Sequence, residues 1–468
     1  MPIRNKHALF VSLALLLALP ARAQNATPDQ RAFRDIYKEL VETNTTLSSG
    51  DCTLAASRMA ARLKSAGYPD GDLHIVTAPG HPKEGGLVAV LPGSDPKAKA
   101  ILLLAHLDVV EAKRKDWARD PFRFIEEDGY FYGRGTADDK AQAAIWVDML
   151  ARFKKDGFKP RRTLKMALTC GEESAPFNGA RDLAERQRAL IDAEFALNEG
   201  GWGRMDEKGK RVYLGINAGE KTNQNFRLEV TNPGGHSMRP VKDNAIYHLS
   251  AGLMKIGAYD FEVQNTDSSR AFFAKMGPQI GGAMGAAMTE FAKNPKNAAA
   301  AKLLASDPAY NAMLRTTCVA TMLDAGHATN ALPQRAGANV NCRIFPGVTP
   351  NQIKDRLTAL MADPQIKITI LPGRGAGGPA PKLTDTVMKP ILAAAAKRWP
   401  DVPVVPMLEI GATDASHLSR AGIPTYGFTG IIFEPDGSRL HGLNERVRVR
   451  AVYDGRELLT DVVKAYVQ

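Results

Sequence analysis

The sequence carries two histidines and several carboxylates at spacings that suit a metal centre. His106 and Asp108 stand two apart at the end of the apolar run Ala100–Ala105, so both side chains point to one face of a strand. A carboxylate in that position suits the task of orienting a ligand imidazole from behind. Asp138-Asp139 follows a glycine-punctuated loop within Tyr130–Lys140 (YFYGRGTADDK) and precedes an apolar-periodic helix. Glu172-Glu173 lies in TLKMALTCGEES, just past the predicted strand Leu164–Thr169. Two adjacent carboxylates there repel each other unless a positive charge lies between them. Glu199 follows the short strand Glu194–Leu197, and His441 opens His441-Gly442-Leu443-Asn444-Glu445. Each piece alone also has a plainer reading. Asp138 and Asp139 suit a helix N-cap, and Glu172-Glu173 suits the first turn of a helix. Glu199 reads equally as a loop carboxylate and His441 as a surface histidine. Together they supply two imidazoles and several carboxylates, nearly all at predicted strand ends, where open α/β sheets bind ligands. Such donors favour zinc, with Co²⁺ or Mn²⁺ able to substitute. Two Zn²⁺ ions would be balanced by Asp138, Glu173, Glu199 and one hydroxide, the neutrality a desolvated site needs.

The elements that must hold these residues alternate along the chain. Asp29–Glu42 and Asp51–Ala66 read as amphipathic helices, the second capped by Asp51 and ended by Gly67. Leu73–Thr77 and Leu87–Leu91 read as strands joined by the Gly/Pro-rich Ala78–Gly86. Ala100–Ala105 is apolar almost throughout, as in a strand buried on both faces. Helices are predicted over Ala141–Phe153 and around Gly179–Ala189. This alternation implies an α/β fold, a mostly parallel sheet with helices on both faces. The pattern changes near Asn217. Asn225–Thr231, Thr316–Leu323 and Ala336–Phe345 alternate like half-exposed strands, while residues 265–310 read as short helices. Residues 218–371 are therefore expected to form an inserted α+β domain. The α/β pattern resumes after the linker Leu371–Pro381 and ends in a helix over about Glu445–Val467, so the catalytic domain is 24–217 with 372–468.

Residues 1–23 read as a cleavable export signal. Arg4 and Lys6 precede the apolar run Ala8–Leu19, and the expected cut follows Ala23. The expected location is the periplasm or the cell exterior. The formal charge is +11, and removing Arg4, Lys6 and Arg22 leaves +8. The basic residues are scattered rather than clustered, so neither nucleic acid nor a membrane is an expected partner. The four cysteines lack metal-ligand spacing, and export permits disulfides. Cys318 and Cys342 lie equidistant from a turn near residue 330 and pair if their strands run antiparallel in that register. Cys52–Cys170 is left by elimination.

The stretches LLLAHLDVV, YGRGTADDK, TCGEES, ALNEGG, GGHSMRP, HATNALP, NCRIFPG, GATDAS and HGLNE follow one another over residues 101–445. In this order they resemble the co-catalytic zinc hydrolases that include aminoacylases, succinyl-diaminopimelate desuccinylase, acetylornithine deacetylase and glutamate carboxypeptidase. The resemblance implies one zinc on His106, Asp138 and Glu199 and a second on Asp138, Glu173 and His441. It implies Asp108 as the group orienting His106, Glu172 as general base and acid, and a cis peptide between Asp138 and Asp139. From the inserted domain, His236 and Asn330 would face the scissile carbonyl and Arg343 the substrate carboxylate. Gly411 and Thr413 would offer backbone groups to that same end.

The implied activity is that of a metallo-exopeptidase or aminoacylase, cleaving the amide of dipeptides or N-acyl amino acids that keep a free carboxylate. A biosynthetic deacylase of the same family is a rival that the export signal argues against. A catalytically inactive peptide-binding protein is another, opposed by Glu172 and the full donor set. The family also implies a homodimer through the inserted domain, closing about hinges near Ala218 and Leu371, with His236 reaching the partner's site. Residues 265–310 exceed a compact lid and resemble the longer form of exported members. That length opens the alternative that they replace a partner.

Overall fold

The computed structural model describes residues 27–173, 177–373 and 378–468. The export signal with its cut after Ala23, Ser174 of the glutamate stretch and residues 374–377 of the linker lie outside these. Among the described residues no helix is long and apolar enough to cross a membrane.

The larger layer is a ten-stranded, mostly parallel sheet with helices on both faces. Four parallel strands form its centre, in the order Leu164–Thr169, Ile101–His106, Phe195–Asn198, Thr425–Gly427. Every residue of Ile101–His106 is buried, which is why that run is apolar without alternation. Ile101, Leu103 and Ala105 pack into the core that holds Trp146 of the helix Lys140–Lys155. Leu102 and Leu104 pack the other way, against Ala180 and Leu183 of the helix Gly179–Arg186. The helix predicted around 179–189 is in fact two, Gly179–Arg186 and Arg188–Ile191. Helix Cys52–Ser65 starts where its cap does, with the Leu54 N–H donating to the Asp51 carboxylate at 2.8 Å.

Two differences from the sequence reading bear on the architecture. Ala78–Gly86 is mostly strand rather than loop. Leu73–Ala78 and His81–Leu91 pair antiparallel and turn at Pro79-Gly80. The last helix begins at Val449, and a short strand, Arg446–Arg448, precedes it. That strand pairs antiparallel with Tyr130–Tyr132, Arg446 opposite Tyr132. The pairing brings the chain after His441 alongside the chain before Asp138.

The second sheet has four antiparallel strands in the order Thr317–Ala325, Arg335–Ile344, Thr222–Thr231, Lys367–Ile370. Thr222–Thr231 alternates in burial, so Phe226, Leu228 and Val230 face helices Ala245–Gly257 and Pro350–Met361. Cys318 lies directly opposite Cys342 in the register, and a disulfide joins them. A second disulfide joins Cys52 to Cys170, tying the Cys52–Ser65 helix to the end of strand Leu164–Thr169.

Residues 267–314 form four helices, Asp267–Ile280, Gly282–Lys293, Ala298–Leu304 and Pro308–Leu314. Their Phe272, Phe273, Met288 and Phe291 share a core with Val405 and pack against Tyr213 and Met407. These are residues of the large sheet, in strands Arg211–Glu220 and Val404–Glu409. The segment therefore covers the large sheet and leaves the outer strand of the small sheet, Thr317–Ala325, bare. On that strand Val319, Met322 and Leu323 are 59%, 69% and 65% exposed.

Candidate active site

The carboxyl ends of the central strands deliver the chemistry-bearing residues to one place. His106 ends its strand, Glu199 follows Phe195–Asn198, and Glu172 and Glu173 follow Leu164–Thr169 beyond Gly171. Gly171 has φ +91°, and a Cβ there would meet the Phe177 carbonyl oxygen at 2.1 Å, so the turn requires glycine. Asp138 stands before the helix Lys140–Lys155, joined to Asp139 by a cis peptide. Asp139 precedes that helix without capping it through its side chain. His441 adopts φ +58°, a left-handed conformation uncommon outside glycine, in the loop before Arg446–Arg448.

These residues form two donor sets that share Asp138. In one, His106 Nε2 lies 3.0 Å from Asp138 Oδ1 and 3.6 Å from Glu199 Oε2. In the other, His441 Nε2 lies 3.0 Å from Asp138 Oδ2 and 2.8 Å from Glu173 Oε1. Each Asp138 oxygen thus faces a different set. Ligand atoms about 2.0–2.1 Å from a tetrahedral zinc sit roughly 3.3 Å from one another. The observed separations bracket that value, so the donors fit a pair of ions bridged by one carboxylate. His106 Nδ1 lies 2.9 Å from the Asp108 backbone oxygen, which can only accept. The Nδ1 proton is thereby fixed, and Nε2 presents its lone pair to the first set.

The electrostatics agree with the donor chemistry. Burial would lower the His106 pKa, but Glu199, Asp138 and Asp108 outweigh it and raise the ring. Burial pushes Asp138 up, while His106 and His441 pull harder and hold it below the usual carboxylate range. Burial raises Glu199, Asp139 and Glu173. Hydrogen bonds to Asp138 and Glu173 bring His441 up to about 10. Glu199, Asp139 and Glu173 rise because they are buried together, and the imidazoles rise because carboxylates outnumber them here, a charge imbalance that divalent cations would make good.

Asp108 does more than the sequence suggested, and does it differently. Its carboxylate lies 3.7 Å from His106 Nδ1, too far for a hydrogen bond, so its backbone carbonyl is what orients the imidazole. The carboxylate instead accepts the Glu172 N–H at 3.2 Å and the Glu173 N–H at 2.9 Å. It thereby fixes the turn that carries both glutamates. Glu172 is buried, and its carboxylate groups with His106 and Glu173 at the edge of the donor sets.

Sequence reasoning gave Glu445 no role. It is fully buried, and its Oε2 accepts from Arg134 Nη1 at 2.6 Å and the Gly135 N–H at 3.1 Å. Its Oε1 accepts the Ala137 N–H at 2.7 Å and the Asp138 N–H at 3.2 Å. One carboxylate thus clamps the loop carrying Asp138 to the loop carrying His441. The signal in the sequence was an acid at the end of HGLNE, four residues past the histidine.

The remaining expected residues lie elsewhere. His236 and Asn330 are neighbours: the Ser237 N–H donates to the Asn330 oxygen at 3.0 Å, and His236 pairs with Ala331 in a two-stranded ladder. Both are exposed. Arg343 sits in strand Arg335–Ile344, opposite Thr317 and Asn223. All three belong to the small-sheet unit, which contributes nothing to the donor sets. Thr413 lines a pocket with Glu199, and the N–H groups of Gly411 and Thr413 are taken: Gly411 donates to Glu409 Oε1 at 2.9 Å and Thr413 to Glu220 Oε2 at 3.0 Å. In this conformation the loop folds onto carboxylates at the ends of two neighbouring strands rather than offering those donors to a ligand.

The profile of Peptidase family M20/M25/M40 matches residues 102–465. The N-fatty-acyl-amino acid synthase/hydrolase PM20D1 of Homo sapiens is 28% identical over 368 residues, 77% of this chain and 73% of that protein. Aminoacylase-1 of Sus scrofa is 24% identical over 436 residues, 92% of this chain and 94% of that protein. The solved M20 family metallo-carboxypeptidase Sso-CP2 from Sulfolobus solfataricus shares the fold. Its TM-score is 0.69 at 18% identity, covering 93% of this chain and 99% of that one.

Proposed function

The chain belongs to peptidase family M20/M25/M40 and is a metal-dependent hydrolase; from that premise we propose an exported di-zinc amidohydrolase of dipeptides or N-acyl amino acids with a free carboxylate. The observation that carries this reading is the pair of donor sets sharing Asp138, with Glu172 at their edge. Similarity to an aminoacylase and to an N-fatty-acyl-amino acid synthase/hydrolase favours the N-acyl amino acids.

His106, Asp138 and Glu199 would hold one ion, and Asp138, Glu173 and His441 the other. When bound, such ions polarise a carbonyl and lower the pKa of water into the neutral range. Glu172 takes the proton of the attacking water and returns it to the leaving nitrogen, so one carboxylate serves as base and then acid. Asp108 holds the Glu172 backbone through its N–H, which fixes the point from which that side chain reaches the centre. Lys140, buried behind the loop, donates to the Thr43 carbonyl at 2.9 Å.

The small-sheet unit serves as the lid within residues 218–371, of which 267–314 pack on the large sheet instead. His236 and Asn330 close over the scissile carbonyl and stabilise its developing charge, while Arg343 receives the substrate carboxylate. The bare strand Thr317–Ala325, with exposed Met322 and Leu323, supports pairing of two copies there. In that dimer His236 serves the partner's site. The export signal supports a periplasmic or secreted location.

The test is hydrolysis of a panel of dipeptides and N-acyl amino acids, each with its carboxylate free or amidated. The reading expects turnover of the free acids and loss on amidation. Turnover that ignores amidation contradicts the carboxylate requirement, and absence of any turnover by metal-loaded protein contradicts the activity.

A further inference from the structure

A cavity of about 630 Å³ lies between two helices of residues 267–314, Asp267–Ile280 and Pro308–Leu314, and the strands Arg211–Glu220 and Val404–Glu409. Tyr213, Phe272, Met276, Tyr310, Met313 and Met407 line it, an apolar wall whose methionines adapt to the shape of a guest. The volume falls within the range of ligand pockets, roughly 300–1,000 Å³. An acetyl group or a small side chain would leave most of it empty.

Two segments tie this cavity to the donor sets. Glu409 lines it and also lines a small polar pocket that contains Glu199 and Asn217. Pro435 lines it from the loop that runs on to His441. The cavity is therefore bordered by Glu409, which shares a pocket with Glu199, and by Pro435, six residues before His441 in the chain. It exists because 267–314 packs on the large sheet, where its aromatic residues and methionines face Val405, Tyr213 and Met407.

We infer that this cavity receives the hydrocarbon chain of a long-chain N-acyl amino acid, so that the enzyme prefers fatty-acyl substrates to acetyl ones. The inference rests on the N-acyl amino acid reading above and assigns its acyl group a place. The helices of 267–314 then serve as a specificity element. Each methylene that enters the cavity leaves water, which is worth about fourfold in binding.

The test compares kcat/KM for N-acetyl, N-hexanoyl and N-decanoyl derivatives of one amino acid. The same three compounds are also measured as competitors of a fluorescent fatty-acid probe. The expected result is a rise in both measures by about fourfold per methylene until the cavity is full. Ala309, an exposed residue of the lining near the start of Pro308–Leu314, is replaced by tryptophan to fill the space. Ala309→Trp should lower the decanoyl-to-acetyl ratio at least tenfold, and a ratio taken within one protein is insensitive to the fraction folded. A flat length dependence in both measures, or an unchanged ratio in Ala309→Trp, overturns the assignment. Length-dependent competition without hydrolysis of any member supports the cavity assignment and overturns the proposed reaction instead.

Discussion

Glu445→Gln should unfasten the metal centre without touching a metal ligand. The carboxylate accepts from Arg134, Gly135, Ala137 and Asp138 in a fully buried position. A glutamine amide keeps an acceptor on one side and turns an N–H₂ toward donors on the other. Hydrogen bonds to a charged group contribute about 1.5–3 kcal/mol each, and an unpaired buried guanidinium costs about 3–5 kcal/mol. Arg134 is itself 2% exposed, so the second figure applies to it. The two contributions overlap, and the net loss should be about 4–6 kcal/mol. Asp138 loses the N–H contact that seats it, so zinc affinity should fall 10–100-fold, as expected for a group that supports a ligand. Denaturation of metal-free protein in urea measures the first quantity, and competition with a chelator measures the second. Arg134→Met combined with Glu445→Gln should recover part of the stability, because no buried charge is then left unpaired. It should not recover the affinity, because the Ala137 and Asp138 N–H groups remain unheld. A Glu445→Gln protein within about 1 kcal/mol of the parent, with zinc affinity unchanged, would refute the clamp.

Three further outcomes are expected. Glu172→Gln should retain both ions by elemental analysis while kcat falls by about two orders of magnitude or more; near-normal turnover would remove Glu172 from the reaction. Burial, helped by Arg343, brings Lys221 down to about 7 from the ordinary lysine value, and burial does the same to Lys140. Between that value and roughly 10.4 the unfolded chain holds a proton that the folded one lacks, so stability should rise with pH across this window, by up to about 1.4 kcal/mol per unit for each lysine. Lys221→Met should remove its share of that slope in denaturation curves taken from pH 7 to 10, and an unaltered slope would exclude Lys221 as a source. The proposed pairing of two copies through the bare strand predicts a dimer by light scattering that Met322→Lys converts to a monomer, and a mass that Met322→Lys leaves unchanged contradicts that interface.

Much of the architecture was legible because single elements carry their own signal. Leu164–Thr169 and the buried Ile101–His106 strand declare themselves by apolar runs that stop at chemistry-bearing residues. The donor residues share one region because the carboxyl ends of adjacent parallel strands converge there, a property of the fold that strand order reveals. What stayed hidden depends on contacts between distant segments. Nothing local to Asp108 tells that its carboxylate holds the backbone of Glu172 and Glu173. Glu445 precedes Arg446–Arg448, a strand too short and too basic to recognise alone, so its burial against Gly135 and Ala137 could not be read. The composition of residues 265–310 shows helices, but not which sheet they cover, because apolar helix faces are interchangeable until a partner surface is known. The glycines and prolines of Ala78–Gly86 mimic a loop, yet pairing with Leu73–Ala78 pulls most of that stretch into a strand.

The proposed reaction needs two divalent ions, one that His106, Asp138 and Glu199 would hold and one that Asp138, Glu173 and His441 would hold. Its most direct test is to strip the protein of metal and add zinc stepwise, following hydrolysis of an N-acyl amino acid and bound zinc in the same samples. No turnover is expected without metal, and activity should reach a plateau at two bound ions per chain, with Asp138→Asn reaching neither the occupancy nor the rate. Full turnover by metal-free protein, or full turnover in Asp138→Asn, would contradict it.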